Sequence, residues 1–138
     1  MKYEELMTLA KQARERAYAP YSGFSVGAAL LCSDGRVFLG CNVENASFTP
    51  TCCAERVAIF SALASGVKDF SAMAVAGGRG EESAPLCMPC GVCRQVMSEF
   101  CGEDFPVILE GEGGDVRALS LGELLPYRFV LEEKKRNR

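Results

Sequence analysis

With 138 residues, 49% of them hydrophobic, the chain has the length and apolar content of one domain around a single core. Its 15 basic and 18 acidic residues give a net charge of −3. The only basic cluster, Lys134-Lys135-Arg136-Asn137-Arg138, follows two glutamates, which argues against a polyanion-binding surface. The sequence has no histidine, so it can build no Ser-His-Asp triad, Cys-His pair or imidazole metal site, and no apolar run reaches the ~18 residues of a membrane-spanning helix.

Residues 3–17 carry Leu6, Leu9, Ala10, Ala13 and Ala17 at helical spacing, and Pro20 ends that pattern. The runs 24–31 and 36–42 flank Ser33-Asp34-Gly35, so a β-hairpin is expected there. Residues 53–65 are helix formers, apolar nearly all round, with Gly66 as the stop. A buried strand is predicted over 70–76 and an exposed loop over 77–88, where glycines, Pro85 and charges gather. Helical spacing resumes over 90–100 and ends at Gly102, strands follow at 105–109 and 116–119, and Ser120-Leu-Gly-Glu123 has the capping-box pattern of a short last helix. This order predicts a single α/β domain over 1–138, a mixed five-stranded sheet with helices on both faces, and 131–138 as a flexible charged tail.

The N-terminal MKYEELMTLAKQARER is charged and helical, unlike a signal peptide, so a reducing, cytoplasmic setting is expected. In that setting the eight cysteines call for metal binding or burial rather than disulfides. Cys87, Cys90 and Cys93 repeat at C-x-x-C-x-x-C spacing, as at the start of an iron–sulfur motif. Met97 and a missing proline break the continuation that such a cluster needs. Spacing alone also leaves open a structural four-cysteine zinc site and a dithiol redox pair. The leading reading is a catalytic zinc site with three thiolates and one open position. Cys53 and Cys90 start the two central helices, Cys93 lies one turn further on, and helix N-termini favour thiolates. Glu55, two residues after Cys53, could then act as a general acid and base, although a first-turn glutamate also suits the helix dipole without any chemistry.

Five separated segments now resemble the small cytidine deaminases in which cysteine replaces the histidine ligand. They are Tyr18-Ala-Pro-Tyr-Ser-Gly-Phe24, Gly40-Cys-Asn42-Val-Glu44-Asn45, Cys53-Ala-Glu55-Arg56, Pro89-Cys90-Gly-Val-Cys93-Arg-Gln and Glu123-Leu-Leu-Pro-Tyr-Arg-Phe129. The resemblance implies one Zn2+ per chain on Cys53, Cys90 and Cys93, with Glu55 as the catalytic residue. It implies that Phe24 packs beside the pyrimidine, that Asn42 and Glu44 bond ribose hydroxyls, and that the Ala54 backbone with Glu55 reads the base edge. Arg56 would offset the charge that three thiolates leave on a divalent ion.

In similar enzymes neighbouring subunits complete each site with aromatic side chains, at positions matching Phe48 and Phe129, so a homotetramer is expected. Phe48 stands where the family usually has tyrosine, and the loop before Pro89 is longer than usual. The implied function is hydrolytic deamination of cytidine and deoxycytidine in pyrimidine salvage, with a nucleoside as the partner and neither nucleic acid nor membrane involved. Two alternatives stand beside it: a deaminase of a modified cytosine nucleoside such as blasticidin S, and a non-enzymatic zinc module that binds nucleic acid.

Overall fold

In the computed structural model, which describes residues 1–131, two helical layers enclose a mixed sheet. The elements run α1 (Tyr3–Arg14), β1 (Ser25–Cys32), β2 (Val37–Cys41), α2 (Ala54–Ala64), β3 (Phe70–Arg79), β4 (Glu82–Ala84), α3 (Gly91–Phe100), β5 (Pro106–Glu110), β6 (Val116–Ser120) and α4 (Leu121–Leu124). The strand order is β2-β1-β3-β5-β6, antiparallel except where β3 runs parallel to β5. Apart from Leu131, the expected tail over 131–138 lies outside the described residues.

Strand alternation decides which helix covers which face. On one face Ala29, Ala72, Ala74, Ala76 and Ile108 are buried with Leu6, Met7 and Ala10 of α1. On the other, Ala28, Leu30, Met73, Val75, Val107 and Leu109 meet Ile59 of α2 and Met97 of α3. Each large apolar side chain fully buried here contributes about 1.5–3 kcal/mol relative to exposure. The small alanines on the first face let α1 lie close. So does Gly27, where a Cβ would overlap the Ala10 carbonyl. Gly40 does the same for α2: a Cβ there would overlap the Ala54 carbonyl, so this glycine sets how near the start of α2 comes to β2.

The expected helices and five strands are all present, and a sixth strand joins them. Residues 77–88 are not simply an exposed loop: β3 continues through the buried Gly77 and Gly78, turns at Gly80 (φ +58°) and Glu81, and returns as β4. Arg14 fastens this hairpin to α1 by donating to the carbonyls of Gly80 (2.7 Å) and Glu82 (2.9 Å). At the other end of the chain the capping box forms as read, with Ser120 Oγ accepting from the Glu123 amide. Among the described residues no helix is long and apolar enough to cross a membrane.

Candidate active site

The starts of α2 and α3 come together beside the sheet, and three cysteines meet there. Cys53 is the N-cap of α2, Cys90 is the N-cap of α3, and Cys93 lies one turn into α3. Their sulfurs all lie within 4.8 Å of one another, with Cys53 Sγ and Cys90 Sγ 3.7 Å apart. Two sulfurs bound to one tetrahedral ion at about 2.3 Å each would stand roughly 3.8 Å apart, so the spacing suits zinc. Cys87, the first member of the C-x-x-C-x-x-C rhythm, is not in this group.

The electrostatics agree with the spacing. Hydrogen bonding from Cys93, together with Arg56 and Cys90, pulls the Cys53 thiol down to about 5, while the bond to Cys53 and burial push Cys93 up. Sulfurs this close cannot all ionise unless a cation offsets their charge. Arg56 supplies part of that charge, with Nη2 3.4 Å from Cys53 Sγ. Its Nε is buried with no partner among the described residues, a costly placement for a guanidinium unless the neighbouring sulfurs are negative. The donor set therefore fits Zn2+.

Glu55 sits beside the sulfurs and is only 3% exposed. Burial pushes its carboxyl up to about 7, and the Cys53 charge adds to the shift. A first-turn glutamate in solvent keeps an ordinary carboxylate; this one is instead held in the buried setting that raises a carboxyl. A cavity of about 340 Å3 opens above it, with Cys53, Ala54, Glu55 and Cys90 at one end and Phe24 and Val26 along the wall.

Asn42 and Glu44 both reach this cavity, but their polar atoms are already engaged. Asn42 Oδ1 accepts from the Val26 amide (2.8 Å) and Nδ2 donates to the Phe24 carbonyl (2.9 Å), which pins the start of β1. Glu44 Oε1 accepts from the amides of Tyr21 (3.0 Å) and Ser22 (3.1 Å), and Oε2 accepts from the Ser22 hydroxyl. That hydroxyl holds the Glu44 carboxyl below its ordinary value. Both residues thus brace the Phe24 segment, a task that their residue types alone did not signal.

Phe48 and Phe129 do not line this cavity. Phe48 is 85% exposed on an adjoining hollow of about 280 Å3, and Phe129 is 66% exposed. The sequence reading missed Cys87, Met88 and Thr51 as lining residues. Cys87 gets there through the hairpin: a Cβ on Gly77 would overlap both its sulfur and the Phe24 ring, so the glycine leaves room for the two. Burial pushes the Cys87 thiol up to about 11, which keeps it protonated at neutral pH.

A layered α/β domain with three clustered thiols, a buried glutamate and an open cavity defines a zinc-dependent hydrolase of the deaminase class. The family model of the cytidine and deoxycytidylate deaminase zinc-binding region matches residues 1–109. A cytidine deaminase of Sporosarcina psychrophila is 46% identical over 96% of this chain and 95% of its own length, and one of Halalkalibacterium halodurans is 47% identical over 96% and 98%. The crystal structure of cytidine deaminase from Burkholderia pseudomallei aligns with a TM-score of 0.84 and 53% identity, covering 94% of this chain and all of that one. The chain belongs to the cytidine deaminase family. Neither alternative raised by the sequence, the modified-nucleoside deaminase or the nucleic-acid-binding zinc module, is favoured by these likenesses.

Proposed function

We propose that this chain hydrolyses cytidine and deoxycytidine to uridine and deoxyuridine, exchanging the exocyclic C4 amine for oxygen and releasing ammonia. The observation that carries the reading is Glu55, buried beside three converging sulfurs at the end of an open cavity. Cys53, Cys90 and Cys93 would hold one Zn2+, whose chemistry is to lower the pKa of a water to about 7 and so supply a nucleophile at neutral pH. Arg56 offsets part of the thiolate charge, so that the metal keeps its Lewis acidity.

Glu55 accepts one proton of the attacking water on a carboxylate oxygen and passes it to the ring N3; it then takes the second proton from the oxygen now bonded to C4 and delivers it to the amine, which leaves as ammonia when the C4–N bond breaks. A carboxyl held near neutrality can both take and give a proton, as these two transfers require. Phe24 packs along the pyrimidine, and the Ala54 amide, free at the first turn of α2, reads the base edge together with Glu55. Asn42 and Glu44 meet the ribose hydroxyls with the capacity their loop contacts leave over. Each carboxylate oxygen and amide oxygen has a second lone pair, and the amide nitrogen a second hydrogen. The reading extends to one domain over 1–138 acting in cytoplasmic pyrimidine salvage.

The direct test is an ultraviolet assay of the zinc-loaded protein on cytidine, deoxycytidine, their monophosphates and blasticidin S. Turnover of the two nucleosides and one zinc per chain are expected; turnover of blasticidin S alone would overturn the substrate assignment. Glu44→Ala should raise the KM for cytidine by about tenfold, the scale of one charge-assisted hydrogen bond. Its effect on melting should be small because the loop it braces is exposed; equal losses in melting and catalysis would leave Glu44 only a structural role.

A homotetramer is part of the same proposal. Phe48 and Phe129 are large, apolar and exposed, and they are spared from their own cavity, so they are free to complete the cavities of neighbouring subunits. Light scattering at assay concentration should give four chains per particle. A fully active monomer would refute shared sites.

A further inference from the structure

The hairpin of β3 and β4, where the sequence predicts an exposed loop, brings an arginine up to the Phe24 ring that walls the cavity. Arg79 Cζ lies 5.7 Å from the centre of the Phe24 ring, within cation–π range. Its Nη1 donates to the Ser22 carbonyl at 2.7 Å. Between these two contacts, Gly23 turns with φ +70°, and a Cβ there would stand 3.3 Å from the same Nη1. The chain thus passes the guanidinium closely, in a conformation that glycine accepts without strain.

Glu44 grips the same segment from its other side through the amides of Tyr21 and Ser22. Arg79 is itself placed by the hairpin register, opposite Glu82, whose carbonyl is tied to Arg14. A continuous set of contacts therefore runs from α1 through the hairpin to the ring that walls the cavity. Ordering a long arginine side chain at the exposed end of β3 costs free energy, which the contacts with the Phe24 ring and the Ser22 carbonyl offset.

We infer that Arg79 is a positioning residue for nucleoside binding: it fixes the Ser22–Phe24 segment and so presets the aromatic wall against which the base stacks. The inference rests on the deaminase reading of the cavity. Phe24 takes no part in the proton transfers of Glu55 in this scheme, so Arg79 should act on substrate binding and not on the chemical step.

The test compares Arg79→Met and Arg79→Lys with the unaltered, zinc-loaded protein, measuring kcat and KM for cytidine, zinc content, melting temperature and amide exchange at Tyr21, Ser22 and Phe24. Methionine keeps the apolar stem but removes both contacts. KM should rise about fivefold, kcat should stay within about twofold, and the three amides should exchange faster with zinc content unchanged. Lysine keeps a cation near the ring without the planar fork, so it should recover part of the KM. Unchanged KM and unchanged exchange in Arg79→Met would overturn the inference. So would parallel losses of kcat, zinc and melting temperature, which mark a general structural role. If the unaltered protein turned over no nucleoside, the deaminase reading would fail on its own, and the exchange comparison would still decide whether Arg79 holds the segment.

Discussion

Glu55→Gln is expected to keep its zinc and to lose at least about 10²-fold in turnover, the usual scale for removing a positioned acid and base. Glutamine matches glutamate in size and keeps a hydrogen-bonding head, so a buried site at 3% exposure can hold it with little repacking. What it cannot do is ionise. No other carboxylate among the described residues lines the catalytic end of the cavity, and Glu44 is committed to Tyr21 and Ser22. Metal analysis beside steady-state kinetics checks the result: turnover lost together with zinc would make Glu55 a ligand, contrary to the scheme.

The second large effect separates the cysteines. Cys90→Ser and Cys93→Ser should each lose zinc and turnover together, whereas Cys87→Ser should retain one zinc per chain. Partners outside the coordination sphere are typically worth about 10–100-fold in metal affinity, so replacing a direct thiolate should cost more than that. Cys87 has neither the position nor the ionisation of a ligand. Its sulfur packs at Gly77 beside the Phe24 ring, and burial keeps it protonated. A fourth thiolate would also close the position that the catalytic water requires. Zinc lost from Cys87→Ser, or iron and sulfide found in the native protein, would refute the three-thiolate site.

The parts of this molecule legible in its sequence are those governed by local rules. Asp34-Gly35 sits at the hairpin turn with Gly35 at φ +91°, Gly66 takes φ +85° just past α2, and Ser120 and Glu123 exchange the bonds of a capping box. The cysteine cluster could be read because its members sit at two helix starts, where spacing and dipole argue together. The short β4 could not. Three residues beside glycines and charges carry no strand signal, and the hairpin depends on Arg14, more than sixty positions away. The family resemblance singled out Asn42 and Glu44 as polar site residues, but nothing in the sequence marks them as braces of the Phe24 segment, since that task exists only once β1 and the loop before it are in place. Arg79 was invisible for the same reason, because an arginine on a turn reads as a solvated charge.

Cys53 and Cys90 are the N-caps of their helices, and neither side chain bonds its own helix's free amides. Elsewhere a serine or aspartate in that place would contribute about 1 kcal/mol to the first turn. Here the two side chains point instead to a shared centre, so the helices α2 and α3 forgo separate caps for a common bracket. Metal binding would then tie the starts of two helices together as well as arm the catalyst. A chelator should fray the opening turns of both helices at once, so the enzyme's fold as well as its rate would depend on zinc.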